Sequence, residues 1–254
     1  LKMKILPTIG PITQDTSKLK TIFKYSKIVR LNASHNEISW HKNIITKIKK
    51  LNKDIDILLD IPGIKPRTDN KKTIFVKKNQ IIKFIYKNTA RSNCISTTKP
   101  LPKSNKKNKF FSVDDGKLIF RIIKSSKNLL IGKALDNYQI HPKKGINIPL
   151  SIYNNDEQKK NYLKYLNYFK KSNFNLVGLS FVQNYKLIVF LKKKYPHLLF
   201  VSKIENSEGL KNAENICKYS DIVMIDRGDL SAEIGGDKLF DSILKISSFA
   251  KKFG

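Results

Sequence analysis

Arginine, cysteine and acidic residues are all scarce in this 254-residue chain. Only two cysteines occur, Cys94 and Cys217, and neither sits in a CxxC or other metal-ligand spacing, which argues against a disulfide framework or a cysteine zinc site. No apolar run approaches the ~20 residues that a membrane-spanning helix needs. No secretory signal opens the chain, so a soluble, cytoplasmic protein is expected. Asp and Glu number 20 against 50 Lys and Arg, a formal charge of +30. Such an excess ordinarily points to nucleic acid, through phosphate contacts. Yet only Arg30, Arg67, Arg91, Arg121 and Arg227 are arginines, and arginine supplies the planar fork that reads bases and phosphates. The lysines are spread along the whole length among many Asn and Ile residues. The excess therefore reads as compositional drift, and no specific nucleic-acid partner is expected.

What is present is a globular composition, 40% hydrophobic and 28% charged. Short apolar runs alternate with amphipathic stretches, the pattern of strand–helix units. Strands are expected at residues 4–8, 28–32, 56–60, 176–182, 198–204 and 221–225. Helices are expected near 16–26, 38–51, 156–172, 185–195, 208–219 and 238–252. The run DILLD (56–60) is nearly continuous in apolar residues, as a strand covered on both faces should be. Between about 68 and 142 the rhythm changes to β-rich runs (TIFV, IIKFIY, KLIFRII, LLIGKAL) with no convincing helix, and 97–109 is expected to be a flexible loop. The fold class is thus α/β: a TIM (β/α)8-type barrel, incomplete at the C-terminus with six strands present, and a small all-β domain inserted after strand three. The domain plan is 1–67 for the first part of the barrel, 68–142 for the inserted β-domain, and 143–254 for the second part, lacking strands seven and eight.

Polar residues cluster after the strand ends. Arg30, Asn32, Ser34 and His35 follow the second strand, and Asp60, Lys65 and Arg67 the third. Ser180 and Gln183 follow the fourth, Lys203 and Glu205 the fifth, Arg227 and Asp229 the sixth. In a parallel barrel these lie at the C-terminal face, where βα loops build active sites. Any one of them alone is explained as a cap or an ion pair; five successive strand ends are not. Aromatics interleaved with lysine at YLKYLNYFKK (162–171) repeat at helical spacing and are expected to face the barrel core rather than a nucleic acid.

The stretches PTIGP (7–11), VRLNASHNE (29–37), LLDIPGIKPR (58–67), VDDGKL (113–118), KKGINIP (143–149), GLSFVQ (178–183), SKIENSEGL (202–210) and DRGDLSAEIG (226–235) occur in one order and spacing. Through them the sequence resembles the pyruvate kinase family over essentially its whole length. That resemblance implies Mg²⁺-dependent phosphoryl transfer from phosphoenolpyruvate to ADP, giving pyruvate and ATP, the last step of glycolysis. It implies Glu205 and Asp229 as Mg²⁺ ligands, with Lys203 steadying the transferring phosphoryl group and the enolate oxygen. Arg30 offers a planar fork to the same phosphate. Ser180, Gly228 and Asp229 fall at the substrate; Asn32, His35, Arg67 and Lys144 match positions near the nucleotide phosphates. The competing readings are a simple ion pair for Lys203 with Glu205, a carboxylate partner in the barrel for Arg30, and background for Lys144. Asp114 and Asp115 are expected at a hairpin turn with Gly116, either as a purely structural Asp-Gly turn or as a contact with the nucleotide.

The departures matter as much. Asn32, Ser34 and Asp60 match the family's monovalent-cation ligands, but this chain has DIPGIKPR where potassium-dependent members have a glutamate in place of Lys65. In a second branch of the family a lysine ammonium replaces K⁺, so activity without added K⁺ is expected. Pro62 and Ile64 alter the same loop, and Asp226 stands where the family has alanine. The motif of the seventh strand, which carries the family's proton-delivery threonine, is not in this sequence. The chain is therefore expected to be a fragment of a longer gene product, and a homo-oligomer remains compatible with the resemblance. Two other functions stand against the kinase: a pyruvate- or enolate-handling barrel lyase or aldolase, which would need no β-domain lid, and an inactive or basic nucleic-acid-binding homologue, whose binding would vanish at modest salt.

Overall fold

The computed structural model describes residues 5–87 and 93–254. The chain opens, after a 3₁₀ turn at Pro11–Thr13, with α1 (Thr16–Tyr25), β1 (Ile28–Asn32), α2 (Ile38–Leu51) and β2 (Asp56–Ile61). A run of short strands follows: β3 (Ile74–Val76), β4 (Ile81–Tyr86), β5 (Cys94–Thr97), β6 (Phe110–Val113), β7 (Leu118–Ser126), β8 (Leu129–Ala134), β9 (Tyr138–Ile140) and β10 (Ile146–Asn147). Strand–helix alternation then resumes with α3 (Asn155–Tyr168), β11 (Leu176–Leu179), α4 (Tyr185–Lys194), β12 (Leu199–Ile204), α5 (Ser207–Lys211) and α6 (Ala213–Tyr219). The chain ends with β13 (Ile222–Ile225), α7 (Arg227–Ile234) and α8 (Leu239–Phe253).

The parallel sheet has the order β1-β2-β11-β12-β13. Among the described residues it holds five strands, where six are expected. The expected first strand contributes one parallel bridge, Thr8 with Arg30, flanked by bonds from Arg30 N to Pro7 O and from Ile9 N to Arg30 O. Pro7 lacks the N–H that a longer ladder would require, and Lys4 lies outside the described residues. β2 and β11 are buried almost throughout, as central parallel strands should be. One face carries Val29, Leu31, Ile57, Leu59, Val177, Leu179 and Phe200 into the main core beneath the helices. The opposite face has a small apolar floor of Leu58, Leu176 and Val201. Above that floor, two residues further along β2 and β12, come the polar side chains of Asp60 and Lys203, with Gly178 between them on β11.

Several helix ends differ from the sequence pattern. The helix expected over 208–219 is two, because Asn212 interrupts it and donates its side-chain amide to Gln183 O and Glu208 Oε1. The helix expected to reach residue 172 ends at Tyr168; Asn154 caps its start, accepting from the N–H groups of Asp156 and Glu157. Within it Tyr162 and Leu166, followed by Phe169, are buried in the core, while Tyr168 is exposed.

The β-rich stretch forms a six-stranded sheet, β10-β6-β7-β8-β4-β5, and the two-stranded β3-β9. It has its own apolar cluster, in which Phe84, Phe111 and Phe120 meet with ring centroids 4.9–5.3 Å apart. β10 pairs with β6 through Ile146–Val113 and Asn147–Ser112, so the pairing of this unit runs past residue 142. Residues 98–109 form no strand or helix, yet Leu101 is buried in this core.

Candidate active site

The two-residue period of a strand decides which side chains meet inside the curved sheet. In register, Arg30 lies beside Leu58 and Asn32 beside Asp60, while Gly178 pairs with both Asp60 and Val201. Asp60 is the hub of the polar layer. Its Oδ2 accepts from Arg30 Nε at 2.8 Å, a second Arg30 nitrogen at 2.5 Å and Lys203 Nζ at 3.2 Å. Its Oδ1 accepts from Ser180 Oγ at 3.1 Å. Gly178 makes room for this cluster: a Cβ there would sit 3.1 Å from Asp60 Oδ1 and Cα. Arg30 also donates to Thr8 Oγ1 at 3.1 Å, so the short first-strand segment helps aim the guanidinium.

Lys203 and Glu205, two apart on one face, meet at 2.7 Å and are both almost fully buried. Burial alone would lower the Lys203 ammonium, but the charges of Glu205, Asp60 and Asp226 outweigh it and raise it above the ordinary lysine value. Burial pushes the Glu205 carboxyl upward, against the pull of Lys203. Phe181 donates its backbone N–H to Glu205 Oε2 at 2.6 Å from a left-handed conformation, φ +64°. A bulky residue in that region costs on the order of 1–3 kcal/mol and persists only where its surroundings enforce it. Here the aromatic ring is buried against Tyr153, centroids 5.3 Å apart, and the strained turn aims the N–H.

Carboxylate oxygens of Glu205, Asp226 and Asp229 lie within 4.8 Å of one another. Oxygens around an octahedral Mg²⁺ are about 3 Å apart when adjacent and about 4 Å when opposite, so this hard donor set fits a divalent cation after small closure. Lys65, nearly buried, bonds Asp229 Oδ1 and reaches Asp115 Oδ1 at 3.3 Å, tying the β6–β7 hairpin to α7.

Arg30, Asn32, Ser34, Lys65, Arg67 and Ser180 share with Lys203, Glu205, Asp226 and Asp229 one cavity of about 100 Å³. Asn32 Oδ1 is occupied by the Ser34 N–H at 3.0 Å. Arg67 donates to Lys143 O at 3.1 Å. His35 and Gly228 are exposed and do not line the cavity. Lys144 is paired with Asp114 Oδ1 at 3.0 Å, outside it. Asp114, Asp115 and Gly116 all adopt positive φ in the expected hairpin turn, and Asp114 also accepts from Tyr138 at 2.6 Å. A larger cleft, about 860 Å³ between that hairpin and α7, gathers surface lysines such as Lys107 and Lys117 but none of the interior polar layer.

The family described as "Pyruvate kinase, barrel domain" matches residues 1–251. The chain belongs to the pyruvate kinase family. Its relatives include the pyruvate kinase of Buchnera aphidicola subsp. Schizaphis graminum, 30% identical over 271 residues, covering 99% of this chain and 56% of the relative. The pyruvate kinases of Borreliella burgdorferi and Thermococcus litoralis are each 27% identical, covering 99% and 94% of this chain and 54% and 53% of their own lengths. The chain thus spans about half the length of the curated relatives it matches. Among its described residues no helix is long and apolar enough to cross a membrane.

Within the DRGDLSAEIG stretch the barrel also buries Glu233, a carboxyl with no role expected from the sequence. Glu233 on α7 accepts from Asn147 at 3.5 Å and Ser207 at 3.4 Å. Burial raises it from 4.5 to about 7, against the Lys65 charge and these hydrogen bonds. The folded state therefore holds this proton to higher pH than the unfolded chain does. Its contribution to stability is fully present below pH 4.5 and is lost as pH rises through 7. Glu233→Gln is expected to raise stability by under about 1 kcal/mol at pH 5 and by about 3 kcal/mol at pH 8. Denaturant unfolding at the two pH values checks this; equal shifts at both would show that Glu233 stays ionised.

Proposed function

We propose that this barrel serves an enzyme transferring the phosphoryl group of phosphoenolpyruvate to ADP, with Mg²⁺ held by Glu205 and Asp229. The observation that carries the reading is Lys203, an ammonium fixed at 2.7 Å from Glu205 and 3.2 Å from Asp60 at the mouth of the parallel sheet. Phosphoryl transfer is catalysed mainly by positioning and by neutralising charge on the moving group. Lys203 faces that charge and the enolate oxygen left behind. Arg30, braced by Asp60 and Thr8, directs its remaining donors to the phosphate. The opening turn of α7 presents backbone N–H groups beside Gly228, suited to the substrate carboxylate. Ser180 lines the substrate pocket, and Asn32, His35, Arg67 and Lys144 are assigned to the nucleotide phosphates by their motif positions. A divalent cation held by Glu205 and Asp229 would supply charge neutralisation at the transferring group.

Lys65 stands in for a monovalent cation. Its ammonium is nearly buried beside Asp229, Asn32 Oδ1 already accepts the Ser34 N–H, and Asp60 is already engaged by Arg30, Ser180 and Lys203. Steady-state pyruvate formation by the complete gene product, with tetramethylammonium as the only monovalent cation besides buffer, is expected to match the rate in K⁺. A strict K⁺ requirement would refute this role for Lys65. Release of pyruvate without ATP would refute the kinase reading itself.

A further inference from the structure

We propose that Asp226 is a third carboxylate ligand of the divalent cation, beside Glu205 and Asp229; this rests on the reading that those two hold the ion. Asp226 follows β13 and occupies the N-cap position of α7, with φ −86° and ψ 98°. An aspartate there ordinarily accepts a backbone N–H two or three residues on, a bond worth about 1 kcal/mol. Asp226 makes no such bond. Its carboxylate instead turns into the cavity, with Oδ2 3.6 Å from Lys203 Nζ and an oxygen within 4.8 Å of those of Glu205 and Asp229.

The three carboxylates differ in how firmly they are held. Glu205 is fixed by Lys203 and the Phe181 N–H, and Asp229 by Lys65. Asp226 is the freest, with a side chain 37% exposed and a single loose ion pair. It can therefore approach a cation without breaking a short bond. Alanine is the residue expected here from the motif, so this chain adds an anionic oxygen where water would otherwise complete the octahedron. The consequence is tighter binding of the free ion and one water fewer in its shell.

The probe is Mn²⁺, titrated into the full chain and followed by the electron paramagnetic resonance signal of the free aqua ion. Wild type is expected to bind one Mn²⁺, Asp226→Ala to bind it about tenfold more weakly, and Asp226→Asn to fall between, since it keeps an oxygen and loses the charge. Asp229→Ala is expected to abolish the site. Electron–nuclear double resonance should count one more bound water in Asp226→Ala than in wild type. Unchanged affinity in Asp226→Ala, with Asp229→Ala still abolishing binding, would overturn the proposal and leave the two-ligand reading intact. Unchanged affinity in both Asp229→Ala and Glu205→Gln would overturn the reading and the proposal with it. Thermal unfolding in a chelator separates loss of fold from loss of the site; if Asp226→Ala does not fold, Asp226→Asn carries the test.

Discussion

Replacing Lys203 by methionine is expected to lower kcat for phosphoryl transfer on the order of 10³-fold or more, with KM for phosphoenolpyruvate changed far less. Methionine keeps most of the apolar stem and removes the ammonium, with its charge and its hydrogen-bond donors to Asp60 and Ser180. A charge that acts mainly on the transition state shows its loss in kcat, whereas loss of simple ground-state binding raises KM. Removing one preorganised electrostatic donor from such a site typically costs 10²–10³. Lys203 is worth more because it is buried, where its interactions are less screened. The substitution has a second effect. It leaves Glu205 without its cation while Asp60 keeps Arg30, and breaking a buried ion pair from one side costs about 3–5 kcal/mol. Part of that cost is relieved by protonation, since burial already pushes Glu205 upward. The rate must therefore be measured well below the variant's unfolding temperature. A coupled assay showing equal rates for Lys203→Met and wild type would remove Lys203 from the mechanism.

Replacing Phe111 by alanine should destabilise the β unit by about 3–5 kcal/mol and leave the barrel's own transition in place. The ring is fully buried, stacked on Phe120 at 4.9 Å and edge-on to Phe84 at 5.3 Å. It also lies against Gly132, where a Cβ would come within 2.5 Å of its Cε1, so its removal opens space that no neighbouring side chain fills. The apolar clusters of the β unit and of the parallel sheet are separate. Polar contacts such as Lys65–Asp115 and Asn147–Glu233 join them instead. Separate cores joined by polar contacts need not unfold together. Calorimetry of Phe111→Ala is expected to move one transition and spare the other. A single transition shifted as a whole would show one cooperative unit.

Much of the fold was legible because the strands obey simple periods. Arg30, Asp60, Ser180, Lys203 and Asp229 were legible as polar residues that follow successive strand ends and so gather at one end of a parallel sheet. The continuous apolar run in DILLD marked a doubly covered strand. What escaped depended on contacts distant in sequence. No local pattern shows that Asp60 collects Arg30, Ser180 and Lys203 from three other segments, or that the described part of the first strand pairs through the single Thr8–Arg30 bridge. Phe181 reads as an ordinary core aromatic, and its left-handed backbone follows from packing against Tyr153. Asp226 was visible as an added charge, but its place among three carboxylates depends on an N-cap left unmade. Lys144 belongs to a different class: its motif matched, yet Asp114 engages it in this structure. A lysine in a chain so rich in lysine carried little weight from sequence alone.

The central claim is that this polar layer transfers a phosphoryl group. Phosphorus NMR of phosphoenolpyruvate, ADP and Mg²⁺ with the complete gene product tests it most directly. Loss of the phosphoenolpyruvate resonance with matching growth of ATP is expected with wild type, and the same change slowed on the order of 10³-fold or more with Lys203→Met. Persistence of the phosphoenolpyruvate signal with wild type, or its equal decay with the variant, would contradict it.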